Sequence, residues 1–145
     1  MKILVINGPN LNLLGAREPE HYGGFSLEKL ESDLKVEFRD VTFSFFQSNL
    51  EGEIVTIIQN ADKIFDAIII NPAGYAHTSV SIKDALSLCK IIKIEVHLSH
   101  LSGRENFRHN LITSIACDGY ISGFKLNSYS AAVFLVKKLK ILPDN

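Results

Sequence analysis

An α/β fold built on a parallel sheet with both faces covered is the architecture this sequence predicts, and three observations predict it. Strand-like and helix-like stretches alternate along the chain. Most strand-like stretches are near-continuous aliphatic runs, as strands buried on both faces require. Unusual polar residues gather after these runs, where an open α/β sheet places its ligand crevice.

Five strands are expected, at residues 2–6, 41–46, 67–71, 91–98 and 119–123. Four of them (KILVI, AIIIN, IIKIEVHL and GYISG) have the character of central strands. The second, Val41-Thr42-Phe43-Ser44-Phe45, alternates apolar and polar residues and reads as an edge. Helical stripes fill the intervals. Leu27, Leu30, Leu34 and Phe38 recur every three or four residues, as do Leu50, Ile54, Ile57, Ile58 and Ala61. Ile82, Ala85, Leu86 and Cys89 form a third stripe, and Ala132, Leu135, Val136 and Leu139 a fourth. Ser48 with Glu51, and Ser102 with Glu105, have capping-box spacing and predict helix starts. Five strands with the alternating one second fit a flavodoxin-like, doubly wound sheet of order 2-1-3-4-5 with right-handed crossovers. No linker, repeat or low-complexity stretch interrupts residues 1–145, so one domain is expected.

Composition narrows the function classes. The chain has 145 residues, 46% hydrophobic and 21% charged, with a net charge of -1. No basic stripe points to nucleic acid or to an anionic membrane surface. The cationic group Lys137, Lys138 and Lys140 suits a solvated helix C-terminus. Cys89 and Cys117 lie in apolar runs without CxxC spacing and read as small hydrophobes in a reducing compartment. No apolar run approaches the roughly 20 residues of a membrane span, and no signal-peptide pattern opens the chain. The expected location is the cytoplasm.

The polar residues collect on one rim. A long loop, residues 7–23 (NGPNLNLLGAREPEHYG), follows strand one; long loops in compact domains are most often functional. Gln47-Ser48-Asn49 follows strand two, and Asn71 and His77 follow strand three. On strand four, Glu95, His97 and Ser99 share one face while Val96 and Leu98 share the other. A carboxylate beside an imidazole in a central strand must be paired to be tolerated. The pair is either a satisfied core histidine or an acid–base group whose tautomer the carboxylate fixes, and the surrounding loops favour the second. Arg17, Arg104 and Arg108 can clamp an anion or a polyol, with the last two on one face of an expected helix. Metal is not expected, because no cysteine or carboxylate set completes the HxxH of His97 and His100. The GxSxG, GxGxxG and GxxxxGK[ST] signatures are missing as well. What remains is acid–base chemistry without metal or cofactor.

Taken together, NGPNLNLLGAREPEHYG, QSNLEGE, NPAGYAHTSV, EVHLS with GRENFR, and GYISGF…SY resemble type II 3-dehydroquinate dehydratase, collinearly over nearly the whole chain. The resemblance implies dehydration of 3-dehydroquinate to 3-dehydroshikimate in the shikimate pathway, by anti elimination through an enolate. It implies no cofactor, no Schiff-base lysine, and a homododecamer assembled as a tetramer of trimers. It also implies roles. Tyr22 would be the base, Arg17 its activating cation, Asn10 the enolate stabiliser, His97 the general acid and Glu95 its orienting partner. Asn71 with the backbone N–H groups of Leu98 and Ser99 would hold the carboxylate, and His77 and Arg108 the hydroxyls. Arg104 corresponds to a lid-side arginine, and Asp84 to an acid that reaches a neighbouring subunit's pocket. Four places depart from the family pattern: Ala73-Gly74 where Gly-Ala or Gly-Gly is frequent, Ala76 where Thr is common, Lys125 where Gly is frequent, and His100 where Asn is usual. A flavodoxin-like small-molecule binding protein without the chemistry, and a flavin-binding electron carrier, are the rival readings.

Overall fold

The computed structural model describes residues 1–16 and 25–141. In chain order these form strand β1 (Lys2–Asn7), helix α1 (Leu27–Glu37), β2 (Thr42–Gln47), α2 (Glu51–Ala61), β3 (Ala67–Asn71), α3 (Val80–Leu88), β4 (Ile92–His97), β5 (Gly119–Ser122) and α4 (Asn127–Ile141). The five strands make one sheet in the order β2-β1-β3-β4-β5, and every pairing is parallel. The expected fold class and strand order are both present.

Alternation along the strands sorts the core into two layers. Ile3, Val5, Ile69 and Val96 face α1 and α4, packing on Leu30, Leu34, Ala132 and Val136. Leu4, Ile6, Ile68 and Ile70 face α2 and α3, packing on Ile54, Ile58, Ile82 and Leu86. Each fully buried aliphatic side chain contributes about 1.5–3 kcal/mol relative to exposure, so the two layers together hold the sheet. Ser26 caps α1 by accepting from the Lys29 N–H at 3.2 Å, and Ser79 caps α3 by accepting from the Ile82 N–H at 2.9 Å. Among the described residues no helix is long and apolar enough to cross a membrane.

Three local expectations change. The run GYISG is not buried on both faces as its apolar character suggested: β5 lies at the edge that the order 2-1-3-4-5 gives it, and Tyr120 is 56% exposed. Four or five residues are too few for periodicity to tell how deeply a strand is buried. Ser48 and Glu51 do not form a capping box, because α2 enters through Leu50, which has no side-chain cap. Ser48 Oγ instead accepts from the Leu50 N–H at 2.9 Å and donates to Glu53 at 2.5 Å, while Glu51 accepts from the Ser79 hydroxyl. Ser102 and Glu105 start no α-helix either. Two short 3-10 turns, Leu101–Gly103 and Asn106–His109, stand there, and Ser102 Oγ bonds to the His100 ring at 2.7 Å.

The departures at Ala73 and Lys125 acquire a conformational meaning. Both residues have positive φ, 53° and 54°, the left-handed region in which a β-carbon crowds the backbone. Lys125 is half-buried. Cys89 and Cys117 are both free thiols, the first buried and the second half-buried. Burial, with the Cys89 thiol donating to Asp62 at 2.8 Å, pushes Cys89 up to about 11, and burial raises Cys117 as well.

Candidate active site

The C-terminal ends of the strands bring polar side chains into register. Asn7 lies beside Gln47 of β2 on one side and Asn71 of β3 on the other. The buried Asn7 and Asn71 need partners at this depth, and one phenol serves both. The fully buried Tyr129 of α4 donates to Asn7 Oδ1 at 2.5 Å and accepts from Asn71 Nδ2 at 3.1 Å. Asn71 Oδ1 accepts the Ala73 N–H at 3.1 Å, which fixes which end of the carboxamide is which. Desolvation pushes the Tyr129 hydroxyl well above the usual phenol range, so it remains a neutral donor.

The loop after β1 crosses tightly over the loop after β3. The Gly8 N–H donates to Asn71 O at 2.8 Å, and a β-carbon at Gly8 would stand 2.5 Å from Pro72 O. Only glycine permits that approach. Asn10 follows with φ of 67°, a conformation Asn tolerates better than most residues. Its N–H is held at 2.9 Å by Asn49 Oδ1, whose backbone carbonyl accepts from the Tyr75 hydroxyl at 2.9 Å. Asn10 and Ala73, two of the three positive-φ non-glycine residues described, therefore flank one cleft.

That cleft is lined by Asn10, Asn71, His77, His97, Leu98, Ser99 and Arg108, together with Pro9, Leu11, Ala73, Gly74 and Leu101. Seven sequence-predicted positions thus meet in one place. Glu95 lies directly beneath, fully buried, with its Oε1 at 2.7 Å from His97 Nε2. A carboxylate only accepts, so Nε2 carries the proton and Nδ1 is the ring nitrogen left for a ligand. The pairing expected across one strand face is present, and Val96 and Leu98 pack in the opposite layer.

His77 is stacked against His97, with ring centroids 6.5 Å apart. Its Nδ1 is 2.9 Å from the Asn110 carbonyl, which must accept, leaving Nε2 as an acceptor. Burial holds the His77 imidazole below its ordinary range, and the neighbouring His97 and Arg108 add to this against the opposing pull of Asn110. The ring in the cleft wall is therefore neutral at pH 7.

Arg104 and Arg108 do share a partner, although no helix aligns them. Their Nε atoms donate to the same Glu105 oxygen at 3.1 and 2.9 Å. Glu105 is lowered to about 2, first by its own backbone N–H and then by the two guanidiniums. Arg108 reaches the cleft, whereas Arg104 donates to Ser99 Oγ, a residue of the cleft wall, at 3.2 Å. Asp84 does not line the cleft: it is exposed on α3, paired with Lys83 at 3.2 Å. Arg17 and Tyr22 lie outside the described residues. Among the described residues no group of three or more His, Cys, Asp or Glu side chains is placed to hold a metal ion.

Sequence reasoning missed Thr113, which donates to Glu95, and gave no part to Tyr129 although it closes the GYISGF…SY segment; Asn49 was placed on the rim, but not as the partner of Asn10. Asn7 carried a signal, since an amide ending an aliphatic strand must be paired once buried.

A profile of the family described as Dehydroquinase class II matches residues 1–137. A relative from Fusobacterium nucleatum, named 3-dehydroquinate dehydratase, is 50% identical over 143 residues, 94% of this chain and 97% of its own length. Another of that name, from Carboxydothermus hydrogenoformans, is 50% identical over 131 residues, 89% of this chain and 85% of its own length. The crystal structure of a type II dehydroquinase from Butyrivibrio crossotus superposes with a TM-score of 0.92 at 43% identity, covering 94% of this chain and 97% of the other.

Proposed function

The chain belongs to the class II dehydroquinase family, and from that premise we propose that it dehydrates 3-dehydroquinate to 3-dehydroshikimate by anti elimination through an enolate. The observation that carries the reading is the single cleft in which a carboxylate-bound imidazole, two Asn side chains, a neutral histidine and an arginine converge.

In the proposed mechanism Tyr22, as phenolate, removes a proton from C2, and the electron pair moves into the C3 carbonyl to give an enolate. An isolated phenol has a reference pKa of about 10, and a nearby guanidinium can lower it by roughly one to three units; Arg17 is assigned that part. Asn10 stabilises the enolate oxygen, its carboxamide able to donate directly or through a water. The enolate then collapses, breaking the C1–O bond, and His97 gives its Nδ1 proton to the departing hydroxyl, which leaves as water. Glu95 supports this by stabilising the imidazolium from the Nε2 side.

Recognition falls to the rest of the rim. Asn71, with the N–H groups of Leu98 and Ser99, is assigned the substrate carboxylate. His77, neutral with Nε2 as acceptor, and Arg108 are assigned the ring hydroxyls. Arg104 contributes indirectly through Ser99. Asp84, exposed and clear of its own cleft, suits a contact with a neighbouring subunit in a tetramer of trimers. Sedimentation at the mass of twelve chains is the expected result for the purified protein; a monomer or free trimer would remove both the dodecamer and the part given to Asp84. A cytoplasmic location and a single catalytic domain over residues 1–145 complete the reading.

The deciding experiment is direct. Protein treated with a chelator and then given 3-dehydroquinate is expected to develop the ultraviolet absorbance of the conjugated enone. Folded protein that binds the substrate but produces no enone would leave only the binding-protein reading standing.

A further inference from the structure

Thr113 opens the short turn Thr113–Ala116 between the arginine-bearing loop and β5, and it is completely buried. Its Oγ1 donates to Glu95 Oε2 at 2.6 Å, while Glu95 Oε1 receives His97 Nε2–H at 2.7 Å. Each carboxylate oxygen thus has its own donor, and the carboxylate is shut off from solvent.

We propose that Thr113 is a positioning residue for the elimination: its hydroxyl locks the Glu95 carboxylate so that His97 presents Nδ1 to the cleft in one orientation. The inference rests on the function proposed above and goes beyond it.

The physical case has three parts. The terminal torsion of a glutamate is broad and roughly two-fold, so one hydrogen bond to Oε1 leaves the carboxylate plane loosely defined. A second donor on Oε2, from a different part of the chain, removes that freedom. Threonine is suited to the task because its branched β-carbon restricts χ1 and holds the hydroxyl direction. Its backbone is also tied down: the preceding Ile112 N–H donates to Ala76 O at 2.8 Å, beside His77. The same segment therefore fixes the acid's partner and the cleft wall. A hydrogen bond to a charged acceptor in this dry setting is stronger than one between neutral groups.

Thr113→Val keeps the shape and deletes the donor; Thr113→Ser keeps the donor and loosens the rotamer. With wild-type turnover measured alongside, the valine variant is expected to lose about 10- to 100-fold in kcat with KM changed less than about threefold. The serine variant should recover most of the loss. Nitrogen-15 spectra of the His97 ring supply a readout independent of turnover. Wild type and serine should show a single ring state with Nε2–H held by Glu95, and valine a mixed or exchanging ring. If valine unfolds, Thr113→Cys, a weaker donor, is expected to lose kcat to an intermediate degree. A folded valine or cysteine variant with wild-type kcat and ring spectrum overturns the proposal, as does a serine variant no better than valine. Absence of turnover in the wild type would instead count against the proposed function, leaving the ring spectra to decide the role of Thr113.

Discussion

Tyr22→Phe is expected to lower kcat by about two to four orders of magnitude, the range associated with losing a positioned general base. Binding of a substrate analogue should change little, because phenylalanine keeps the ring and removes only the oxygen proposed to take the C2 proton. That split between kcat and affinity identifies a group acting in the transition state rather than in ground-state binding. The assignment is the one the family resemblance implies, and Tyr22 lies outside the described residues. Among its described lining residues His77 is held neutral by burial and its Nδ1 is committed to Asn110, while His97 is committed through Nε2 to Glu95. His97 keeps Nδ1 and His77 keeps Nε2, so both remain rivals to the base proposed at Tyr22. Rates measured with 3-dehydroquinate, together with equilibrium binding of a ring analogue, check this. Near-normal turnover in the variant would remove Tyr22 as the base and return the proton abstraction to one of the histidines.

His97→Gln should produce the second large effect, a loss of about two to four orders of magnitude in kcat, with thermal stability nearly kept. Glutamine is chosen because its amide N–H can still reach Glu95. Alanine would leave that buried carboxylate with Thr113 alone, and a buried charge stripped of one partner costs several kcal/mol. The glutamine variant thus separates the proton-transfer role from the structural one. Glutamine cannot donate an acidic proton to a departing hydroxyl, so elimination should slow even where the fold is unchanged. A variant that folds, binds and turns over at the wild-type rate would show that the leaving group takes its proton elsewhere. If the melting temperature falls steeply with glutamine in place, the pair would be structural first.

The fold was readable because its signals are local. The aliphatic runs at Ile3–Ile6 and Ile68–Ile70 alternate between two layers that the stripes of α1 to α4 cover, and period-two and period-3.6 spacing follow from backbone geometry alone. The Glu95–His97 pair was readable for the same reason, since two residues apart on a strand means one face. Capping boxes were less secure. Ser48 and Ser102 have the right spacing, but Glu51 is drawn to Ser79 and Glu105 to two arginines, partners that local sequence does not announce. GYISG shows the same limit, because how deeply a short apolar strand is buried depends on what packs beside it.

The sequence by itself determined the layer order, the rim on which the polar residues collect, and the family likeness. Tertiary structure decided how those residues are held. Thr113 meets Glu95 across 18 residues, Tyr129 meets Asn71 across 58 and Asn7 across 122, and Ala73 takes a left-handed conformation within this framework. The reason is physical: periodicity records which way a side chain points from its own backbone, whereas the partner of a buried polar group is set only when distant segments close around it.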